Sequence, residues 1–448
     1  MKRALLVIGG ALALVVVVGA LLVGRALRRL GTPEFRREIL AETKAALGTD
    51  VDARALEVSV LKGFRLRGLR IANPHPFAGD LLTAESVSLG YDLWPLLRGR
   101  VQIDELAVDK PVFRLAADAR GAFNYEKLKP YTAAGAARTS ASAGAGSSFL
   151  RELVVEKLTM KDAVLSLSEG PRVFLRIDDL DFTSRIVLGT ESGGQGEASI
   201  AAIVLAEALF LRDVRSPIKV SKRGLGLEPI EARLAGGPVK GKVRLDLAPD
   251  LRWAMDLGIT GASVATLLKE AGAAPSLSGS LDATAALAGT GGAPTAKGKG
   301  RAQIHDCRVL DHAVTRTLAA LLQLPELAQP RFDECLVEFD VAGGVARTPL
   351  RFKSKMLELT GRGTYGLASS ALDYDMTLGL GPELLAKIPG NTTRAAFKRR
   401  EDGFGTLDFG VTGTAAAPKV DLVQKLGLSL ATEAAKEGLR KLFRKKSN

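Results

Sequence analysis

Alternation constrains this chain most. Val337, Phe339 and Val341 are separated by Glu338 and Asp340, and Tyr374, Met376 and Leu378 alternate with Asp373, Asp375 and Thr377. Leu407, Phe409 and Val411 flank Asp408, and Leu357 and Leu359 lead into Gly361 and Gly363. Nearer the N-terminus the same beat is carried by Val58 and Val60, by Phe64 and Leu66, by Val87, Leu89 and Tyr91, and by Val101 and Ile103. After Gly68 the parity changes to Leu69 and Ile71, which predicts a bulge or a turn at that point. A period of two puts one set of side chains on each face of a strand, so these segments predict antiparallel meander strands with one wet face.

Helical spacing is scarce by comparison. "TPEFRREILAETKAALG" has Pro near its start and Gly48 at its end, and "ASVATLLKEAG" also closes on a glycine. In "HAVTRTLAALLQL", Val314, Leu318, Leu321 and Leu322 fall on one side of a helix. Set against roughly twenty short strands, so few helices cannot pave the apolar side of a sheet. Two arrangements remain: sheet against sheet, or a curved sheet whose concave side stays apolar and open. The expected fold is mainly β, with an N-terminal transmembrane helix followed by an elongated, curved antiparallel sheet forming an open apolar groove, plus a few short helices.

An open face of that kind needs an apolar ligand, and the N-terminus says where one would come from. Ala4 to Gly24 is uncharged and mostly apolar. At 1.5 Å per residue it just spans a bilayer core of about 30 Å, and it is longer than a signal-peptide core of about 7–15 residues. Val18-Gly19-Ala20 imitates a cleavage site, which keeps removal of the segment as an alternative. Lys2 and Arg3 precede the span while Arg25, Arg28 and Arg29 follow it, so charge alone leaves the orientation open. A short uncleaved anchor is expected to leave the body outside the cytoplasm. The net charge of +13 concentrates beside this segment and in the tail from Lys436 to Lys446, a distribution suited to an anionic membrane surface. Aromatics are only 5% and none are interleaved with basic residues at a base-stacking spacing, so nucleic acid is not an expected partner.

The chain divides into an anchor at 1–30, a helix and strands at 31–131, a flexible low-complexity linker at 132–148, a Gly-rich β region at 149–300, a second β region at 301–420 and a basic amphipathic tail at 421–448. Cys307 and Cys335 are too few for a disulfide framework and are read as small buried hydrophobes, with pairing in an oxidising compartment as the alternative. "HDCRVLDH" assembles His305, Cys307, Asp311 and His312; on a strand His305 and Cys307 would share a face, but Asp311 reads as a helix N-cap, so no metal is expected. "APTAKGKGR" lacks the first Gly and the terminal Ser or Thr of a phosphate loop and reads as a hairpin turn. No nucleophile or zinc-protease motif occurs, so neither catalysis nor a cofactor is expected.

The stretch from Leu56 to Leu128 resembles the N-terminal signature of the AsmA family: the loop Asn73, Pro74, Pro76 and Phe77, then Trp94 to Leu97, Gly99, Pro111, Gly121 and Asn124. "FDVAGGVARTPLRFKSKMLELTGRGTYGLASSALDYDMTL" and "FGVTGTAAAPKVDL" are similar to its C-terminal part. The resemblance implies a periplasmic body on an inner-membrane anchor, a curved sheet whose groove carries phospholipid towards the outer membrane, and a link to outer-membrane biogenesis. The alternating apolar residues named above, from Val58 to Val411 and leaving out Leu69, Ile71 and Tyr91, are the groove candidates. Phe77 and the tail cations Lys436, Arg440, Lys441 and Arg444 are candidates for a membrane surface. Expected partners are phospholipids, the inner membrane and envelope proteins. The alternatives are a non-enzymatic assembly factor for outer-membrane proteins, working through exposed strand edges, and a closed β-sandwich.

Overall fold

A computed structural model describes residues 35–426, apart from 60–62, 92–100, 119–121, 130–152, 171, 189–192, 206, 222–223, 247–251, 291–294, 311–312, 368, 390–393, 395 and 415–416. The expected anchor, most of the linker region's flanks and the tail cations therefore lie outside the described residues, as do the linker itself, Val60 and Trp94 to Leu97. Among the described residues no helix is long and apolar enough to cross a membrane. The protein is mainly β, with antiparallel pairing predominant and few helices. It falls into two units, one comprising the described residues up to Leu234 with Val239–Ala254, the other Ala235–Pro238 with those from Met255 onward.

The chain begins with α1 (Phe35–Leu47), β1 (Val51–Asp52), β2 (Ala55–Ser59), β3 (Gly63–Ala72), β4 (Asp80–Tyr91), β5 (Val101–Asp109), β6 (Val112–Ala117) and a 3-10 turn at Asn124–Lys127. Long strands follow: β7 (Leu153–Glu169), β8 (Arg172–Leu188), β9 (Gly193–Leu205), β10 (Leu209–Ser221), β11 (Gly224–Leu234) and β12 (Gly237–Asp246). Helix α1 stops where expected, at Gly48, whose φ of +74° lets its N–H return to the carbonyl of Lys44. β1 and β2 both pair with β3, which is one unbroken strand through Gly68, so the parity change there is neither a turn nor a register shift.

One pairing departs from the expected meander. β5 and β6 lie antiparallel to β4 but parallel to β7. A parallel neighbour requires a crossover of about a dozen residues or more, and the chain between β6 and β7 supplies it. The strands on either side of the linker thus belong to one unit, which extends to Ala254 apart from Ala235–Pro238.

Across β3 to β10 the apolar parity switches in strand after strand close to one level. Phe64 and Leu66 give way to Leu69 and Ile71; Leu158 and Met160 to Ala163 and Leu165; Leu175 and Ile177 to Leu180 and Phe182. The register aligns Gly68, Glu85, Lys110 and Asp162 in one line and Asp179, Ala201 and Asp213 in a second, offset from it between β7 and β8, where Asp162 faces Asp181. Gly68, Lys110, Asp162, Asp179 and Asp213 have φ between +47° and +62°. Asp tolerates this left-handed conformation because its side chain can bond locally. Each turns the strand by one side-chain position, so the apolar residues remain on the same face beyond the crease. On the other face, Arg67–Glu57 at 2.7 Å, Lys110–Glu85 at 3.0 Å and Lys157–Glu105 at 2.9 Å bridge strands in water, each contributing about 1 kcal/mol at most.

The loop and the asparagine that carry the family resemblance touch. Asn124, fully buried, donates through Nδ2 to Asn73 Oδ1 at 2.7 Å and to the carbonyl of Arg114 at 2.8 Å, and its Oδ1 accepts from the N–H of Tyr125 at 3.0 Å. Asn73 in turn holds its own loop by donating to the carbonyl of Ala78.

The second unit runs through β13 (Arg252–Ser263), α2 (Val264–Glu270), β14 (Leu277–Thr290), β15 (Lys297–Val309), α3 (Ala313–Leu322), a 3-10 turn (Pro325–Leu327), β16 (Arg331–Phe332), β17 (Glu334–Ala342), β18 (Val345–Arg347), β19 (Leu350–Lys353), β20 (Leu357–Gly366), β21 (Ala371–Leu380), α4 (Pro382–Lys387), β22 (Lys398–Arg399), β23 (Gly405–Thr414), β24 (Ala417–Val420) and α5 (Leu422–Lys425). α2 and α3 fall within the expected helices, and Ser263 caps α2 by accepting from the N–H of Thr266. Pairing runs β14–β15–β17, then through β18 and β19 to β20, β21 and β23, all antiparallel.

Candidate functional site

In an antiparallel sheet, residues directly opposite one another share a face. The registers of the second unit therefore draw rows across it. One row is Ala283, Ala302, Val337, Leu350, Gly361, Met376 and Phe409; its neighbour is Leu281, Ile304, Cys335, Phe352, Leu359, Leu378 and Leu407. Phe339 lies opposite Gly300, and Tyr374 lies opposite both Gly363 and Val411. The candidates Val337, Phe339, Val341, Leu357, Leu359, Tyr374, Met376, Leu378, Leu407, Phe409 and Val411 thus occupy one apolar face, as their alternation predicts. Ile304, Leu350 and Phe352 join them. Leu350 and Phe352 alternate with Arg351 and Lys353, a signal present in the sequence but short.

Coverage of this face is graded. At the end of the strands that carries α3 and α4, Leu318, Leu322, Leu324, Leu327, Leu384 and Ile388 pack over Leu357, Leu378 and Leu380, which are buried. Towards the opposite end Val337, Phe339, Leu359, Tyr374 and Val411 are only half-buried, although Val341 and its partner Ala346 are buried there. Here the surface is made of glycines with rings laid over them. A Cβ on Gly300 would sit 2.0 Å from Phe339 Cζ, one on Gly363 2.5 Å from Tyr374 Cγ, and one on Gly361 2.3 Å from Met376 Sδ. The Tyr374 hydroxyl is hydrogen-bonded to the Thr348 hydroxyl, which satisfies the polar atom on this otherwise apolar surface.

Cys307 and Cys335 are not merely buried hydrophobes: they form a disulfide with Cα atoms 6.4 Å apart, inside the cluster. The bond ties together the feet of the excursion that carries α3 and the following turn, and Lys387 of α4 pairs with Glu326 of that turn at 2.5 Å. His305 and Cys307, expected on one face, lie on opposite ones. Asp306 between them has φ +52°, so Cys307 turns inward while His305 is exposed beside Asp282, Nε2 to Oδ2 3.0 Å. The Gly261 N–H, followed by His305, holds the Asp282 carboxyl below its ordinary range. Among the described residues no group of His, Cys, Asp and Glu is arranged to hold a metal ion.

On the other side of β20, Glu358 is 6% exposed. Burial works against its charge, but hydrogen bonds from Arg400 and Lys353 outweigh that and hold it below the ordinary glutamate range. A depression of about 1070 Å³ also touches these strands. Its lining is mixed: Arg347, Arg351, Arg362, Asp373, Asp375 and Asp408 have the parity of the wet face, while Leu350, Gly361, Met376 and Phe409 belong to the first apolar row.

The N-terminal candidates are brought together differently. Phe64, Leu66, Val87, Leu89 and Ile103 share one face but are 1–5% exposed, packed in a cluster with Leu47 of α1 and with Phe123 and Leu128 around the 3-10 turn. That part of the face is covered by the chain itself and is not open to a ligand. Val58 pairs with Phe64 and Val101 with Leu153 in register. Farther along the same unit, Ile200, Ile203, Leu205, Leu225 and Leu227 are partly buried. Phe77 is half-buried in a turn in which its N–H bonds the carbonyl of Pro74. Comparison of the chain with protein-family models, curated proteins and solved structures finds no match in any of the three.

Proposed function

We propose that this protein is a membrane-anchored envelope protein of AsmA type that holds phospholipid acyl chains against a half-open apolar sheet face and contributes to lipid movement between inner and outer membranes. The observation that carries the reading is the graded face of the second unit. Its apolar rows are continuous across successive strands, closed by helices at one end, and half-exposed around Phe339, Tyr374 and Val411 at the other. Each acyl CH₂ taken out of water there contributes about 0.8 kcal/mol without any specific contact. The head group stays in solvent, which avoids desolvating its charge. The Cys307–Cys335 disulfide suits an oxidising compartment such as the periplasm. Such a role requires no catalytic residue.

The test is lipid extraction and native mass spectrometry of the full chain after gentle purification, comparing wild type with Phe339→Asp. Phe339 is half-exposed, so a carboxylate there can reach water while breaking the apolar surface. Bound phospholipid in the wild type and its loss from a folded variant is the expected result. An equal lipid load in the folded variant, or a wild-type protein that never carries lipid, defeats the proposal.

A further inference from the structure

The connections between strands in the second unit differ sharply by end. At the helix-bearing end they contain Lys355, Glu383, Lys387, Arg394 and the charged run Lys398 to Asp402. At the opposite end, the hairpins joining β14 to β15, β17 to β18, β20 to β21 and β23 to β24 lie in uncharged stretches: Ala283–Ala296, Val341–Ala346, Gly363–Leu372 and Phe409–Pro418. The two central tips are held side by side. Gly343 and Gly344, at φ +60° and +76°, make the two-residue turn after β17, and the N–H of Leu367 donates to the Gly344 carbonyl at 3.0 Å. On these tips Val345 is 38% and Leu367 36% exposed, which places them among the few exposed large hydrophobic residues of the described part of the chain.

The apolar face reaches this rim. The last row before the tips is Leu287, Gly298, Val341, Ala346, Tyr365 and Leu372, and no charged side chain lies between that row and the central turns. A surface of this composition is matched to a medium in which charge is costly and isolated apolar side chains are favoured.

We infer that the hairpin tips carrying Val345 and Leu367 dock on the interfacial layer of a lipid bilayer, so that the half-open face meets a membrane at its uncharged end; this rests on the lipid-binding reading above. Docking is confined to the boundary between head groups and acyl chains, because the unpaired backbone groups of a turn cannot enter the hydrocarbon core. With no cation on the central tips, it depends on apolar contact and is insensitive to salt.

The experiment uses the full chain held in lipid nanodiscs. Val345→Cys, Leu367→Cys and, at the charged end, Met356→Cys, itself 42% exposed, are each labelled with an environment-sensitive fluorophore. The native cysteines are joined to each other, so the label goes to the introduced thiol. Vesicles of neutral phosphatidylcholine are then added at low and high salt. The expected result is a blue shift at positions 345 and 367 at both salt concentrations, none at 356, and loss of the 367 shift when Val345→Asp is added. No shift at 345 and 367, or an equal shift at all three positions, overturns the inference. Co-purified lipid is measured on the same preparations. A lipid-loaded protein whose tips do not shift refutes docking and leaves the groove standing; tips that shift on a protein that never carries lipid support docking and refute the groove.

Discussion

Removing the disulfide gives the sharpest test of how the second unit is held together. Cys307 and Cys335 are 28 residues apart in sequence. Closing a loop of that length in the unfolded chain removes about 12 cal/mol/K of entropy, or about 3.6 kcal/mol at 25 °C. For a unit of this size that corresponds to a fall of roughly 7–14 °C in midpoint. The loop contains α3 and the turn after it, whose Leu318, Leu322, Leu324 and Leu327 cover one end of the apolar face, so loosening its feet also loosens that cover. The assay is urea unfolding followed by circular dichroism on oxidised wild type, reduced wild type and the Cys307→Ala/Cys335→Ala protein, together with limited proteolysis. The reduced protein and the double variant are expected to unfold at the same lowered urea concentration and to be cut first between residues 310 and 330. A double variant that unfolds where the oxidised wild type does, or a wild type indifferent to reductant, refutes the reasoning.

Other outcomes follow from single contacts. Gly300→Ala places a methyl group inside the Phe339 ring, and forcing that ring aside costs about 1–3 kcal/mol, read as a lower thermal midpoint together with weaker lipid retention; an unchanged midpoint contradicts the close packing. Asn124→Ala strands the carbonyl of Arg114 and frees Asn73, for an expected loss of about 1–3 kcal/mol in chemical denaturation. Glu358 has a depressed folded pKa, so its stabilising contribution is complete above the ordinary glutamate range and disappears as pH falls through the lower folded value. Glu358→Gln is therefore expected to lose stability at neutral pH and to show a shallower acid transition than wild type; parallel acid curves would contradict this sign.

Much of the fold was legible because period-two alternation reports directly on which side chains face the core. Val337 to Val341 and Tyr374 to Leu378 lie as their neighbours Glu338, Asp340, Asp373 and Asp375 predict. The ends of α1 and α2 were marked by Gly48 and Gly272, and α3 by its apolar spacing, whereas the Ser263 cap of α2 was not read from the sequence. Alternation carries no information on strand direction, and the parallel pairing of β5 and β6 with β7 was hidden by a connection whose composition says only that it is long enough. Nor does it distinguish a closed face from an open one: Phe64 and Phe339 look alike in sequence, yet only the first is sealed. The disulfide stood only as the alternative because two cysteines form no pattern, and Asp306 at positive φ undid the simple parity that joined His305 to Cys307.

The crease across β3 to β10 also fixes a reading frame. Gly68, Asp162, Asp179 and Asp213 each shift the phase of their strand by one residue, and Lys110 does so between β5 and β6, all close to one level across the sheet. Deleting one residue on either side of the crease in a single strand would put the remainder of that strand out of phase, with its leucines in water and its arginines in the core. The same deletion in a hairpin connection is absorbed by the turn. Variation in chain length is thus permitted at the turns and forbidden along the strands, and a viable change at the crease must be made in several neighbouring strands together.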